Sequence, residues 1–106
     1  MTIYGSPAAL DRNIYHFAPL TAEGSTPAVE VHGSHLTFVH NVTGSATIED
    51  QGSLDGSTWF NIDTEKVHNQ TTVDAHFYTG RAVRYVRSTV TSIGNGVTAT
   101  ISVMCH

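Results

Sequence analysis

The chain has 106 residues, the size of one domain. Five Lys/Arg stand against nine Asp/Glu, a formal net charge of −4 with His neutral, so the clustered cations of a nucleic-acid surface are excluded. Charged residues are only 13% of the chain, about half of the roughly 25% usual in soluble domains. Lys66 is the only lysine, and uncharged polar residues, Thr above all, take the place of the missing charges.

The first 27 residues hold all three prolines, Pro7, Pro19 and Pro27, and show no sustained period. They predict an extended N-terminal arm over 1–27, with a short strand near 13–17. Asp11 and Arg12 interrupt what would be the apolar region of a signal peptide, so synthesis in a cytosol without a secretion signal is expected. No run approaches the ~18 apolar residues of a membrane span, so no membrane partner is expected. Tyr4, Tyr15 and Phe17 are too many aromatics for a solvated tail. The arm is expected to lie on its own domain or on a neighbouring subunit.

From residue 28 the pattern is β, and a β-sandwich domain is expected over 28–106. The chain holds 15 Thr, 11 Val and 6 Ile, residues whose stiff χ1 favours pleated strands. Strands are predicted over 28–32, 36–42, 46–51, 59–63, 72–78, 83–90 and 97–105. In the last, Val97, Ala99, Ile101 and Val103 alternate with Thr98, Thr100, Ser102 and Met104, the mark of a half-buried antiparallel strand. Turn residues lie between the runs, at Gly33-Ser34, Thr43-Gly44-Ser45, Asp55-Gly56-Ser57 and Gly94-Asn95-Gly96. Seven or eight short strands with regular turns predict an all-β, antiparallel, jelly-roll-like sandwich.

Seven histidines are many for this length. His32 and His35 flank a turn and His40 follows in the next strand, whereas His16, His68, His76 and His106 are scattered in sequence. Residues at i and i+3 of a strand face opposite ways, so no metal-ligand set is read. The expected role is that of uncharged surface groups, with a pH-sensitive interface as the other reading. No nucleophile elbow is present, and Cys105 and His106, adjacent on a strand, point apart. Glu49 and Asp50 likewise face oppositely. No catalytic residue and no cofactor is therefore assigned, and the chain is not expected to be an enzyme. Arg81, Arg84 and Arg87 are expected to pair with neighbouring carboxylates. Between Leu54 and Trp59 the Asp55-Gly56 turn predicts a hairpin, with Trp59 folding back onto the core.

The run Ser53-Leu54-Asp55-Gly56-Ser57-Thr58-Trp59, followed by Tyr85-Val86-Arg87 and a Thr-rich closing strand, resembles the small β-sandwich proteins of tailed bacteriophage virions, the head decoration or cement proteins among them. Residues 28–31, 43–45, 53–59 and 85–87 match in that order, over about the last three-quarters of the chain. The same hairpin and Arg84-Tyr85-Val86-Arg87 also resemble the discoidin-like, galactose-binding jelly rolls. This chain is shorter than those domains, and it lacks their paired cysteines and calcium loop. A sialidase Asp box is a weaker match, because Ser53-Leu54-Asp55-Gly56 lacks the residue normally found between Asp and Gly. The first resemblance implies a structural virion protein, made in the host cytoplasm, that stabilises the assembled head by binding the major capsid protein, as a homo-oligomer and specifically a trimer. The arm residues Tyr4, Leu10, Tyr15 and Phe17 are then the expected partner contacts, because an extended segment can clamp a neighbour. The second resemblance implies a carbohydrate-binding module, with Trp59, Asn61, Tyr78 and Arg87 as glycan contacts.

Overall fold

A computed structural model describes residues 7, 8 and 11–106, with side chains from residue 14 onward. The Val- and Thr-rich runs form antiparallel strands: β1 (Pro7–Ala8), β2 (Asp11–His16), β3 (Gly24–Ser25), β4 (Val29–Glu30), β5 (Leu36–Val42), β6 (Ser45–Ser53), β7 (Phe60–Asn61), β8 (Lys66–Asn69), β9 (Thr72–Tyr78), β10 (Tyr85–Ile93) and β11 (Ala99–Cys105). No helix occurs among the described residues.

The strands make two sheets. The first runs β1-β2-β11-β5-β9. In the second, β3 and β4 pair in succession with β10, β10 pairs with β6, and β7 and β8 pair in succession with β6. With β3/β4 and β7/β8 each counted as one interrupted strand, two four-stranded sheets of order β2-β11-β5-β9 and β3/β4-β10-β6-β7/β8 remain. Apart from the β6–β7/β8 hairpin the chain crosses from one of these sheets to the other between successive strands, which is the jelly-roll arrangement the sequence pattern predicts.

Alternation decides what is buried. Leu36, Phe38 and Val42 of β5, Ile48 of β6, Val86 and Val90 of β10, and Ala99, Ile101, Val103 and Cys105 of β11 fill the space between the sheets. The closing strand keeps its predicted phase, but it starts at Ala99 rather than Val97. The β6–β7 hairpin forms with Gln51 opposite Asn61. Its loop is ordered by Asp55, whose Oδ1 accepts from the backbone N–H of Ser57 and Thr58 at 2.8 Å each, while Gly56 takes φ 81°. Those two bonds, followed by the Ser53 hydroxyl, hold the Asp55 carboxyl down at about 2.

Two expectations are corrected here. The boundary at residue 27 is not a domain edge. Tyr15 pairs with Val103 and Leu20 with Ala99, while the Ser88 N–H donates to Thr26 Oγ1 at 3.0 Å, so these residues are part of the sandwich. Trp59 is not a core anchor. It is half-buried outside the apolar cluster, with the Arg87 guanidinium 4.2 Å from its ring centre.

Candidate functional site

The outer face of the first sheet follows from register. Neighbouring strands align Ile14, Met104, Thr37 and Phe77 in one row, and His16, Ser102, Val39 and Ala75 in the next. Thr100, Asn41 and Val73 form a third row. Among the described side chains this face carries no Asp, Glu, Lys or Arg. His16 Nδ1 and Ser102 Oγ are hydrogen-bonded to each other at 2.8 Å. Ile14, Val39 and Met104 line a shallow apolar depression of about 270 Å³. Beside it Phe77 and Val73 are 73% and 67% exposed on β9, the edge strand of the sheet.

The second sheet's outer face is different. Gln51 Oε1 accepts from Arg87 Nε at 2.8 Å and from Thr89 Oγ1 at 2.9 Å. Gln51 Nε2 donates to Asn61 Oδ1 at 3.0 Å, and Asn61 Nδ2 donates to Glu49 Oε2 at 3.1 Å. These polar groups are already paired with one another. Arg84 pairs with Glu30 at 3.0 Å, an exposed contact of small energetic weight.

Between the sheets lies a buried polar network. The carboxylate of Asp50, on β6, is 2% exposed and takes three hydrogen bonds. His40 Nε2 lies 2.7 Å from Oδ1, Ser88 Oγ donates to the same oxygen at 2.9 Å, and the Tyr78 hydroxyl donates to Oδ2 at 2.9 Å. Burial, and then the Asp50 charge, push the Tyr78 hydroxyl far above its ordinary pKa, so it remains a donor. A proton on His40 Nε2 leaves the Nδ1 lone pair free, and that atom is 3.1 Å from His68 Nε2. The His76 ring centre lies 4.5 Å from that of His40. His76 Nε2 is buried and has no hydrogen-bond partner; Asp74 Oδ2 stands 3.5 Å from it. Burial, and then the neighbouring His40, hold His68 and His76 below the usual histidine pKa.

The structure places the expected site residues as follows. Tyr4 and Leu10 lie outside the described residues. Tyr15 packs against the core and donates to the Glu30 carbonyl at 3.0 Å, and Phe17 is 1% exposed inside it. Phe17, just past β2 with its N–H on the Ile101 carbonyl, is corrected from a partner contact to part of the chain's own core, while Tyr15, paired with Val103, stays half-buried. Trp59, Asn61 and Arg87 do gather on one face. Tyr78 does not join them: it is buried against Asp50 on the inner side of the other sheet, so no glycan reaches it. His68 and His76, expected to be scattered, converge with His40. The available signal was phase: His40 shares the inward face of its strand with Leu36, Phe38 and Val42, and His76 shares that of Tyr78.

Cys105 is buried, and its thiol is raised by desolvation, an inert thiol rather than a nucleophile. Among the described residues no helix is long and apolar enough to cross a membrane. No protein-family model, curated protein or solved structure matches the chain.

Proposed function

We propose that the chain is a structural virion subunit, a decoration protein that docks on assembled major capsid protein of a tailed bacteriophage head and reinforces it. The outer face of the first sheet, uncharged among the described side chains, carries this reading. Charged side chains are depleted at interface cores, since each must be desolvated on docking. Here three rows across four strands present Ile14, Met104, Val39, Phe77 and Val73 with Thr, Ser and Asn between them. The exposed edge of β9 adds unpaired backbone groups suited to contact with a neighbouring copy, in keeping with a trimer. Reinforcement follows from linkage: a subunit that binds only the assembled state stabilises that state.

Co-sedimentation tests the proposal. The protein should pellet with cognate phage heads and remain in solution with unassembled capsid protein. Val39→Lys combined with Phe77→Lys should abolish pelleting. Undiminished pelleting of that variant, or a wild-type protein that ignores heads, would overturn it. The rival carbohydrate reading rests on the Trp59, Asn61 and Arg87 group, and binding on a glycan array that Trp59→Ala removes would favour it instead.

A further inference from the structure

Three imidazoles, two buried and one partly buried, take no part in that docking face. His40 comes from β5, His68 from β8 and His76 from β9. β8 is an edge of the second sheet and β9 an edge of the first, and their His68 and His76 ring centres are 6.1 Å apart. The cluster therefore lies where the two sheets meet along one open side. Each histidine offers one ring nitrogen, and these atoms all lie within 4.8 Å of one another.

We propose that His40, His68 and His76 form a binding site for a divalent transition-metal ion, with Zn²⁺ the best match to its geometry. Ligands 2.0–2.1 Å from a tetrahedral ion stand about 3.3 Å apart. His40 Nδ1 and His68 Nε2 are 3.1 Å apart, and His76 Nε2 and Asp74 Oδ2 are 3.5 Å apart. An ion between them replaces the His40–His68 contact and gives the unpartnered His76 Nε2 its missing partner. Asp74, half-exposed at the rim, or a water completes the fourth position.

The surroundings are those of a metal site. A ligating imidazole commonly donates its other N–H to a carboxylate, which fixes tautomer and ring orientation. Asp50 takes that role toward His40 Nε2 and is itself held by Ser88 and Tyr78. The ion would tie an edge of each sheet together, a role separate from docking.

Calorimetric titration and native mass spectrometry of untagged, chelator-treated protein with Zn²⁺ test this. One ion per chain is expected, with a rise in melting temperature on loading. His76→Ala, a rim position, should weaken Zn²⁺ at least tenfold, and so should His68→Ala. His16→Ala and His106→Ala should leave it unchanged. Asp50→Asn, if folded by circular dichroism, should weaken binding about 10–100-fold, as expected of a positioning residue. Absence of binding to the wild type overturns the proposal. So does binding that survives His76→Ala and His68→Ala but falls with the other histidines. Neither result bears on docking to heads.

Discussion

Replacing Asp50 with Ala should be among the most damaging single changes in the molecule. The carboxylate is buried and serves three donors, from His40, Ser88 and Tyr78. Alanine removes the acceptor and leaves all three donors without a partner between the sheets. Each buried donor left without an acceptor costs about 1–3 kcal/mol, so removing the acceptor shared by three should cost at least about 3 kcal/mol. A domain of this size has a total stability of about 5–15 kcal/mol. Each kcal/mol shifts the melting temperature by about 4–8 °C, so the variant should melt at least about 12 °C lower. Urea unfolding in the presence of a chelator, followed by the fluorescence of the single tryptophan Trp59, measures the change without metal linkage. Tyr78→Phe removes one donor only and should cost about 1–3 kcal/mol. The double variant should lose less than the sum, because in Asp50→Ala the Tyr78 hydroxyl has already lost its acceptor. An Asp50→Ala protein within about 1 kcal/mol of wild type would refute the reasoning, since a solvated carboxylate would behave that way.

Val73→Lys and Phe77→Lys should change folding stability by no more than about 0.5 kcal/mol, because both side chains already face solvent, while they raise solubility; chemical unfolding and precipitation assays check this. Gly52→Ala should destabilise by about 1–3 kcal/mol, because the added Cβ meets Val83 Cγ1 at 2.8 Å, and a thermal melt reads it. The Asp55 carboxyl is held at about 2, below its unfolded value, so its contribution is complete above about pH 4 and is lost as pH falls through about 2. NMR titration of the Asp55 side chain should show that low midpoint. A midpoint near 4 would mean that the Ser57 and Thr58 bonds do not hold.

The sandwich was legible because its strands advertise themselves. β5 and β9 have the bounds that alternation predicts, and β11 keeps its phase. In the arm the short strand expected near 13–17 appears as β2, Asp11–His16, but the prolines and mixed pattern hide that Phe17 and half-buried Tyr15 belong to the sandwich core. Removing residues 1–20 would therefore take Phe17 out of the core, so that truncation tests folding rather than docking. Trp59 was misread for a related reason: an Asp-Gly turn fixes a hairpin but not the face on which the next side chain lands. The histidine cluster was invisible in spacing because its members lie on three strands brought together by sheet pairing and sheet packing. The outer face of the first sheet, uncharged among the described side chains, was visible only as a shortage of charge until register put Val39 beside Ala75 and Thr37 beside Phe77.

Electron microscopy of a decorated head is the most direct test of the docking account. The predicted result is a subunit seated with the outer face of the first sheet, around Val39, Met104 and Phe77, against capsid protein or a neighbouring copy. A subunit seated instead through the Trp59 and Arg87 face, with the first sheet open to solvent, would contradict it.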